Sequence, residues 1–456
     1  MSQSQGHSRR EFLCRSGALA TASAAMFTGT AAVAQAAPDA VSAIADKHYF
    51  LRDVRLEIGF TRDGDVVTGT ETALHTLEIR DGRIAAILAA DAAPVAGVPQ
   101  YSAGGMLALP PMRDMHIHLD KTFYGGPWQA PLPRKGKTIM DMIAREQVLL
   151  PQLLPSSQER ADMLIDLLLA HGTTTARSHC NIDPVSGLKS LEHLNLALAA
   201  RKDDFACEIV AFPQHGLLHS KVDGLMRESM DLGVTHVGGL DPTNVDGAME
   251  ASLDAMFQIA LDHDKAVDIH IHESTPAGIA ALRYMVDTVE ANAALKDRVT
   301  FSHAFALAKL DEGELDELGG RMAAQGISVA SSVPIGKSVM PLQALRDKGV
   351  TIMAGTDSVI DHWSPFGSGD MMDKANLYAQ LYAGSDEASL SRSLWIATGD
   401  VLPLDDQGQQ VWPKAGDAAG FVLTDASCSA ETVARCSPRR ATFHAGRLVY
   451  GQIAQG

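Results

Sequence analysis

The chain has 456 residues, 46% hydrophobic and 20% charged, which is ordinary for a globular protein and long enough for a large domain with a smaller companion. A formal charge of −17 argues against nucleic acid or anionic membrane as a partner, because both demand a basic face. Neither a P-loop nor a dinucleotide-type glycine fingerprint occurs, so nucleotide-driven chemistry has no foothold.

The N-terminus opens with a twin-arginine pattern, Ser8-Arg9-Arg10-Glu11-Phe12-Leu13, and a mildly apolar stretch from Ala18 to Val33 that closes on Ala34-Gln35-Ala36. Together these predict a twin-arginine signal peptide over residues 1–36, a periplasmic destination and the twin-arginine export machinery as a partner. The stretch is too short and too weakly apolar for stable membrane insertion. Its removal takes away three arginines and one glutamate, moving the charge from −17 to −19. Of the five cysteines, Cys14 leaves with the signal. Cys180 and Cys207 fall at opposite ends of adjacent predicted strands and should not bridge. For Cys428 and Cys436 the alternatives are a disulfide formed after export and two reduced thiols in a surface loop, the second being the expectation.

Residues 37–109 read as the first part of a β-sandwich, with Leu77 to Ile84 alternating around an Asp81-Gly82 turn. Residues 408–456 read as its second part, through Gly420–Thr424 and Thr442–Gly451. Between them, over residues 110–407, apolar strand-like runs alternate with helical patterns such as Gln158–His171 and Met249–His263. Eight such strands end near His116, His179, Gln214, Asp241, His270, His303, Ser332 and Asp357. The expected fold is therefore α/β, a (β/α)8 TIM-type barrel with a small β-sandwich domain built from both chain ends. An open doubly wound sheet is the alternative, disfavoured because chemically active residues follow nearly every strand and not one switch point.

Barrel enzymes carry their chemistry at the C-terminal strand ends. The first strand offers His116-Ile117-His118, whose two imidazoles share one face of an extended strand, as a metal ion needs. The fifth offers His270-Ile271-His272-Glu273, the sixth Ser302-His303, and the eighth an apolar run ending in Asp357. The histidines and aspartate that these four ends bring together point to a metal site.

These pieces resemble the amidohydrolase superfamily, most closely its bacterial cytosine deaminase branch. The resemblance rests on His116-Ile117-His118-Leu119-Asp120, Val210-Ala211-Phe212-Pro213-Gln214, Asp268-Ile269-His270 with Glu273, Ser302-His303, and Asp357 followed by Trp363-Ser364-Pro365-Phe366-Gly367. It implies that His116, His118, His270 and Asp357 bind one metal ion, that Glu273 shuttles protons, and that His303 polarises the leaving oxygen or the water. It implies too that Asp357 acts in catalysis and that Gln214 meets the substrate's amide edge. His272 is an alternative ligand to His270. Two-metal members of the superfamily use a carboxylated lysine at the end of the fourth strand. Here that strand reads Val237-Gly238-Gly239-Leu240-Asp241-Pro242, so one divalent ion per chain is expected, zinc or iron first and manganese also suited.

Departures from the cytosine deaminase pattern bear on the substrate. Ser358 stands where a second Asp is expected, His215 replaces a Glu after Gln214, and Lys121 puts a cation near the mouth, as would Arg113 and Arg177 if they face it. The expected substrate contacts are Gln214, Trp363, Ser358 and Lys121. The expected activity is hydrolysis of a C–N bond of a small nitrogen heterocycle by metal-supplied hydroxide, cytosine deaminase-like. Ring-amide hydrolysis or removal of an N-alkylamino group is the alternative, and a non-catalytic periplasmic binding protein the second. A homo-oligomer is compatible with the sequence.

Overall fold

The computed structural model describes residues 40–455 except 94, 135, 275, 337 and 338; the twin-arginine segment lies outside the described residues. Eight parallel strands form one sheet: β1 (Met112–Ile117), β2 (Thr173–Asn181), β3 (Ala206–Phe212), β4 (His236–Leu240), β5 (Ala266–Ile271), β6 (Val299–His303), β7 (Ser328–Ser331) and β8 (Ile352–Ala354). They lie in sequence order, each pairing with its neighbour, and helices fill most of the crossovers. The sheet closes where β8 returns to β1. The Asp357 amide donates to the His116 carbonyl at 2.7 Å, and Ile117 and Asp357 form a parallel bridge. This nearly closed eight-stranded sheet is a TIM-type barrel.

Alternation along the strands decides what points where. In β5, Val267, Ile269 and Ile271 sit in the apolar layer beneath the helices, while Asp268 and His270 take the opposite face, inside the barrel. The helices supply the other half of that layer. Ser157–Ala170 buries Ala161, Leu164, Ile165, Leu168 and Leu169, a stripe at three- and four-residue spacing. Half-way down the interior, Arg177 donates to Asp268 at 2.8 Å and to Glu208 at 2.7 Å. Arg177 is thus a buried strut between β2, β3 and β5, not a cation at the mouth.

Strands from both chain ends belong to a second, ten-stranded sheet. In it Leu107–Leu109 pairs antiparallel with Phe421–Thr424, and Ile453–Gln455 lies between Ala40–Val41 and Gln100–Ser102. Tyr49, Leu51, Leu56, Phe421 and Phe443 are among its buried side chains. The Asp81-Gly82 turn adopts φ of 50° and 77°, the left-handed pair that this dipeptide tolerates. Leu107, Leu109 and Val422 pack into the barrel's core, and Thr442 donates to the Leu169 carbonyl at 2.8 Å, so the sheet is anchored to the barrel.

All four described cysteines are free. Cys428 is buried and caps the helix Ser429–Arg435 while Cys436 ends it, so the pair occupies opposite ends of a helix and not a surface loop.

Candidate active site

The C-terminal ends of the strands bring five histidines together. Ring centroids lie 4.1 Å apart for His116 and His179, 4.6 Å for His116 and His270, 4.6 Å for His116 and His303, and 5.4 Å for His118 and His270. Asp357 joins from the segment after β8, its Oδ1 3.6 Å from Nε2 of His116 and 3.4 Å from Nε2 of His118. Two triads have ligand-capable atoms all within 4.8 Å of one another: His116, His118 and Asp357, and His116, His179 and His270. The four residues expected as ligands are thus all present, distributed over two triads that share His116. The fifth histidine, His179, is in sequence terms only a strand end. Its sequence signal is a His two residues before the end of β2, on the same face as Arg177 and Asn181.

Backbone geometry turns several of these groups inward. Parity along β6 sends Phe301 to the outer core, and His303 would follow it. Its φ of 66° ends the alternation, and its ring instead lies against His116 and His272. Asp357 is likewise left-handed at φ 65°, a strained conformation for a non-glycine residue. What holds it is the seam: Asp114 accepts from the amides of His116 at 3.3 Å and Thr356 at 3.0 Å, tying β1 to the segment after β8.

The orientation of the first two histidines is set from behind. His116 Nδ1 bonds to Ser302 Oγ at 2.9 Å, and that hydroxyl donates to Asp268 at 2.5 Å. His118 Nδ1 lies 3.1 Å from the His179 carbonyl, so it is the donor and Nε2 carries the lone pair. Burial drives the imidazole of His118 down to about 4, with Lys121 adding to it, and drives His179, His270 and His303 well below the usual range. Burial opposes ionisation of Asp357, yet the His116 and His118 imidazoles beside it hold its carboxyl well below the carboxylate range. Neutral imidazoles beside an ionised carboxylate are the donor set for a first-row divalent ion. His116 Nε2 and both ring nitrogens of His179, His270 and His303 are buried without a hydrogen-bond partner among the described residues, which a bound ion and its surroundings would relieve.

His272, the alternative ligand, is in neither triad. Its Nδ1 pairs with Asp241 at 3.0 Å, and its backbone amide donates to the same carboxylate at 2.6 Å. Burial works against its charge, but Asp241 raises its pKa, which disfavours the neutral ring a metal requires. Glu273 Oε1 accepts from the amides of Thr243 at 2.8 Å and Asn244 at 2.7 Å, whereas buried Oε2 has no partner among the described residues. Burial raises the Glu273 carboxyl above its ordinary value against those two amides.

Beside the histidines lies a cavity of about 250 Å³ lined by His118, Lys121, Gln214, His272, Ser358 and Trp363 among others. All four expected substrate contacts therefore face it. Lys121 is buried, not at an open mouth. Its Nζ donates to Gln214 Oε1 at 2.5 Å and Asn181 Oδ1 at 3.3 Å and lies 3.5 Å from Glu146, which also receives the Trp363 indole N–H at 2.9 Å. Burial opposes its charge, but Glu146 and Asp120 raise its pKa. His215 is buried 3.7 Å from Asp183, away from these contacts.

Residues 165–450 match the Amidohydrolase family, more than half of the chain. The chain belongs to the amidohydrolase family. Among similar proteins is an uncharacterized protein of Escherichia coli (strain K12), YahJ, 60% identical over 99% of each chain. N-isopropylammelide isopropyl amidohydrolase of Pseudomonas sp. (strain ADP) is 29% identical over 62% of this chain and 70% of its own. Among solved structures, N-isopropylammelide isopropylaminohydrolase from Burkholderia multivorans superposes with a TM-score of 0.76 at 29% identity, covering 88% of this chain and 98% of that one. 5-Methylcytosine deaminase from Klebsiella pneumoniae shares the fold at a TM-score of 0.71 and 23% identity, over 88% and 97% of the two chains. This amidohydrolase is an enzyme of the class that hydrolyses C–N bonds.

Proposed function

We propose that this amidohydrolase, loaded with one divalent metal ion, hydrolyses an exocyclic C–N bond of a small nitrogen heterocycle, releasing ammonia or an alkylamine. One observation carries the reading: a donor set of histidines and an ionised aspartate adjoins a cavity lined by His272, and the next residue, Glu273, keeps one buried carboxylate oxygen without a partner among the described residues. His116, His118, His270 and Asp357 would hold the ion, with His179 closing the cluster from below. When bound, the ion would serve as a Lewis acid that makes water nucleophilic near neutral pH. Glu273 carries protons: its Oε1 is saturated by backbone amides, so the proton resides on Oε2, and a carboxyl raised by burial suits a group that takes and gives one. His303, neutral and packed between His116 and His272, donates a hydrogen bond to the oxygen as charge develops on it. Gln214, Lys121, Ser358 and Trp363 bind and orient the ring.

Two relatives named for removal of an isopropylamino group support the alkylamine version, and the 5-methylcytosine deaminase fold is compatible with ammonia release. Incubation of metal-loaded protein with cytosine, 5-methylcytosine, ammelide and N-isopropylammelide, assaying ammonia and isopropylamine separately, distinguishes them. Release of neither from any ring by folded, metal-loaded protein overturns the proposal. Export belongs to the same proposal: Arg9-Arg10 and the Ala34-Gln35-Ala36 site support delivery to the periplasm by the twin-arginine route.

A further inference from the structure

The Lys121–Gln214 contact fixes something that sequence similarity does not convey. A glutamine amide presents an acceptor at one end and two donors at the other, and a ligand can usually meet either after a flip. Here the flip is forbidden by the neighbour. An ammonium has only donors, so the end of Gln214 facing Lys121 at 2.5 Å must be its oxygen. Lys121 cannot move aside easily. It is buried, bonded to Asn181 and beside Glu146, and its Nζ lies 5.5 Å from the Phe212 ring centre and 5.8 Å from that of Trp363. Gln214 Nε2 donates to no protein acceptor among the described residues, and Gln214 lines the cavity next to the histidines.

From this geometry we infer that Lys121 is a specificity-determining positioning residue, which locks Gln214 as a hydrogen-bond donor so that the site selects heterocycles carrying an exocyclic oxygen, carbonyl or enolate, over those carrying an amino group at that edge. The inference rests on the proposed heterocycle hydrolysis and names the substrate class within it: an oxo-substituted ring that keeps its oxygen while losing an amine elsewhere. An amino group at the same edge would set donor against donor and leave Gln214 unpaired in a desolvated site, the arrangement that discriminates most strongly.

Cyanuric acid and melamine are triazines of the same skeleton bearing three exocyclic oxygens or three amino groups. Their threefold symmetry presents the same group in any of three orientations. Binding of each to metal-loaded protein is measured by calorimetry, with thermal melting as a check on folding. Wild type is expected to bind cyanuric acid tighter than melamine by about tenfold or more. Lys121→Met frees the amide to flip and is expected to bring that ratio close to one. Gln214→Glu keeps the contact to Lys121 but turns an acceptor to the cavity, so it is expected to reverse the preference. It also serves where Lys121→Met fails to fold, since it leaves the lysine paired. Rings that bind wild type without preference, or a preference that survives Gln214→Glu, overturn the inference while leaving the heterocycle reading intact. Binding of neither ring, with no turnover of the four substrates above, overturns both.

Discussion

At the residue scale, Glu273 separates catalysis from structure. Glutamine keeps its size and the acceptor for the Thr243 and Asn244 amides, but carries no proton. Glu273→Gln is therefore expected to retain metal and fold while turnover drops on the order of a hundredfold or more, with substrate affinity changed much less. Metal analysis and single-turnover kinetics check this; loss of the metal would make Glu273 a ligand. Most of this site was legible in the sequence, because His-x-His on a strand and an Asp ending an apolar run are periodicity signals. The role of His179 was not, since a lone His at a strand end looks the same whether it faces the cluster or a backbone carbonyl. The burial of Lys121 was equally hidden: its partners Asn181, Glu146 and Gln214 come from three distant segments, and without them a lysine after His-x-His-Leu-Asp reads as solvated.

At the scale of elements, two joints carry testable weight. The barrel seam requires Gly355, where an added Cβ would sit 2.3 Å from the His116 carbonyl oxygen and 2.5 Å from its nitrogen, both rigid backbone. Gly355→Ala is expected to cost about 1–3 kcal/mol, the usual price of overpacking, and to lower metal occupancy because His116 itself must shift. A melting curve together with metal content tests it, and an unchanged pair of values would place the seam elsewhere. The second joint is Glu57, buried in the strand His48–Asp63, whose Oε1 accepts from the Ser429 amide at 2.5 Å while Oε2 has no partner among the described residues. Burial raises its carboxyl from 4.5 to about 7, against the Ser429 hydrogen bonds. The folded state thus binds this proton more tightly than the unfolded chain. Its contribution is complete below pH 4.5 and lost as pH rises to about 7, worth about 3 kcal/mol at 1.36 kcal/mol per unit. Glu57→Gln is expected to flatten stability against pH in that window relative to wild type; parallel curves would show that the site stays ionised. The eight strands followed from apolar runs alternating with helical patterns, and the Asp81-Gly82 hairpin from residue alternation and turn chemistry. The pairing of Leu107–Leu109 with Phe421–Thr424 did not, because strands some three hundred residues apart declare no partner in their own periodicity.

At the scale of the whole molecule, one metal ion and one destination are expected. β4 and its continuation, Val237 to Pro242, provide no lysine to bridge a second ion. Under the proposed twin-arginine export, changing Arg9-Arg10 to Lys-Lys is expected to leave folded, active protein in the cytoplasm, because that route reads the two arginines. Fractionation of cells carrying each form decides that, and periplasmic protein at the normal level would show another route. The most direct measurement is a metal titration of catalysis. Chelated mature protein is reloaded with zinc or iron from zero to two equivalents, and amine or ammonia release from the best of the four heterocycles is followed. Release should be absent without metal, rise in proportion, and level off at one equivalent per chain. Turnover indifferent to metal, or a maximum reached only at two equivalents, would contradict a single-metal hydrolase.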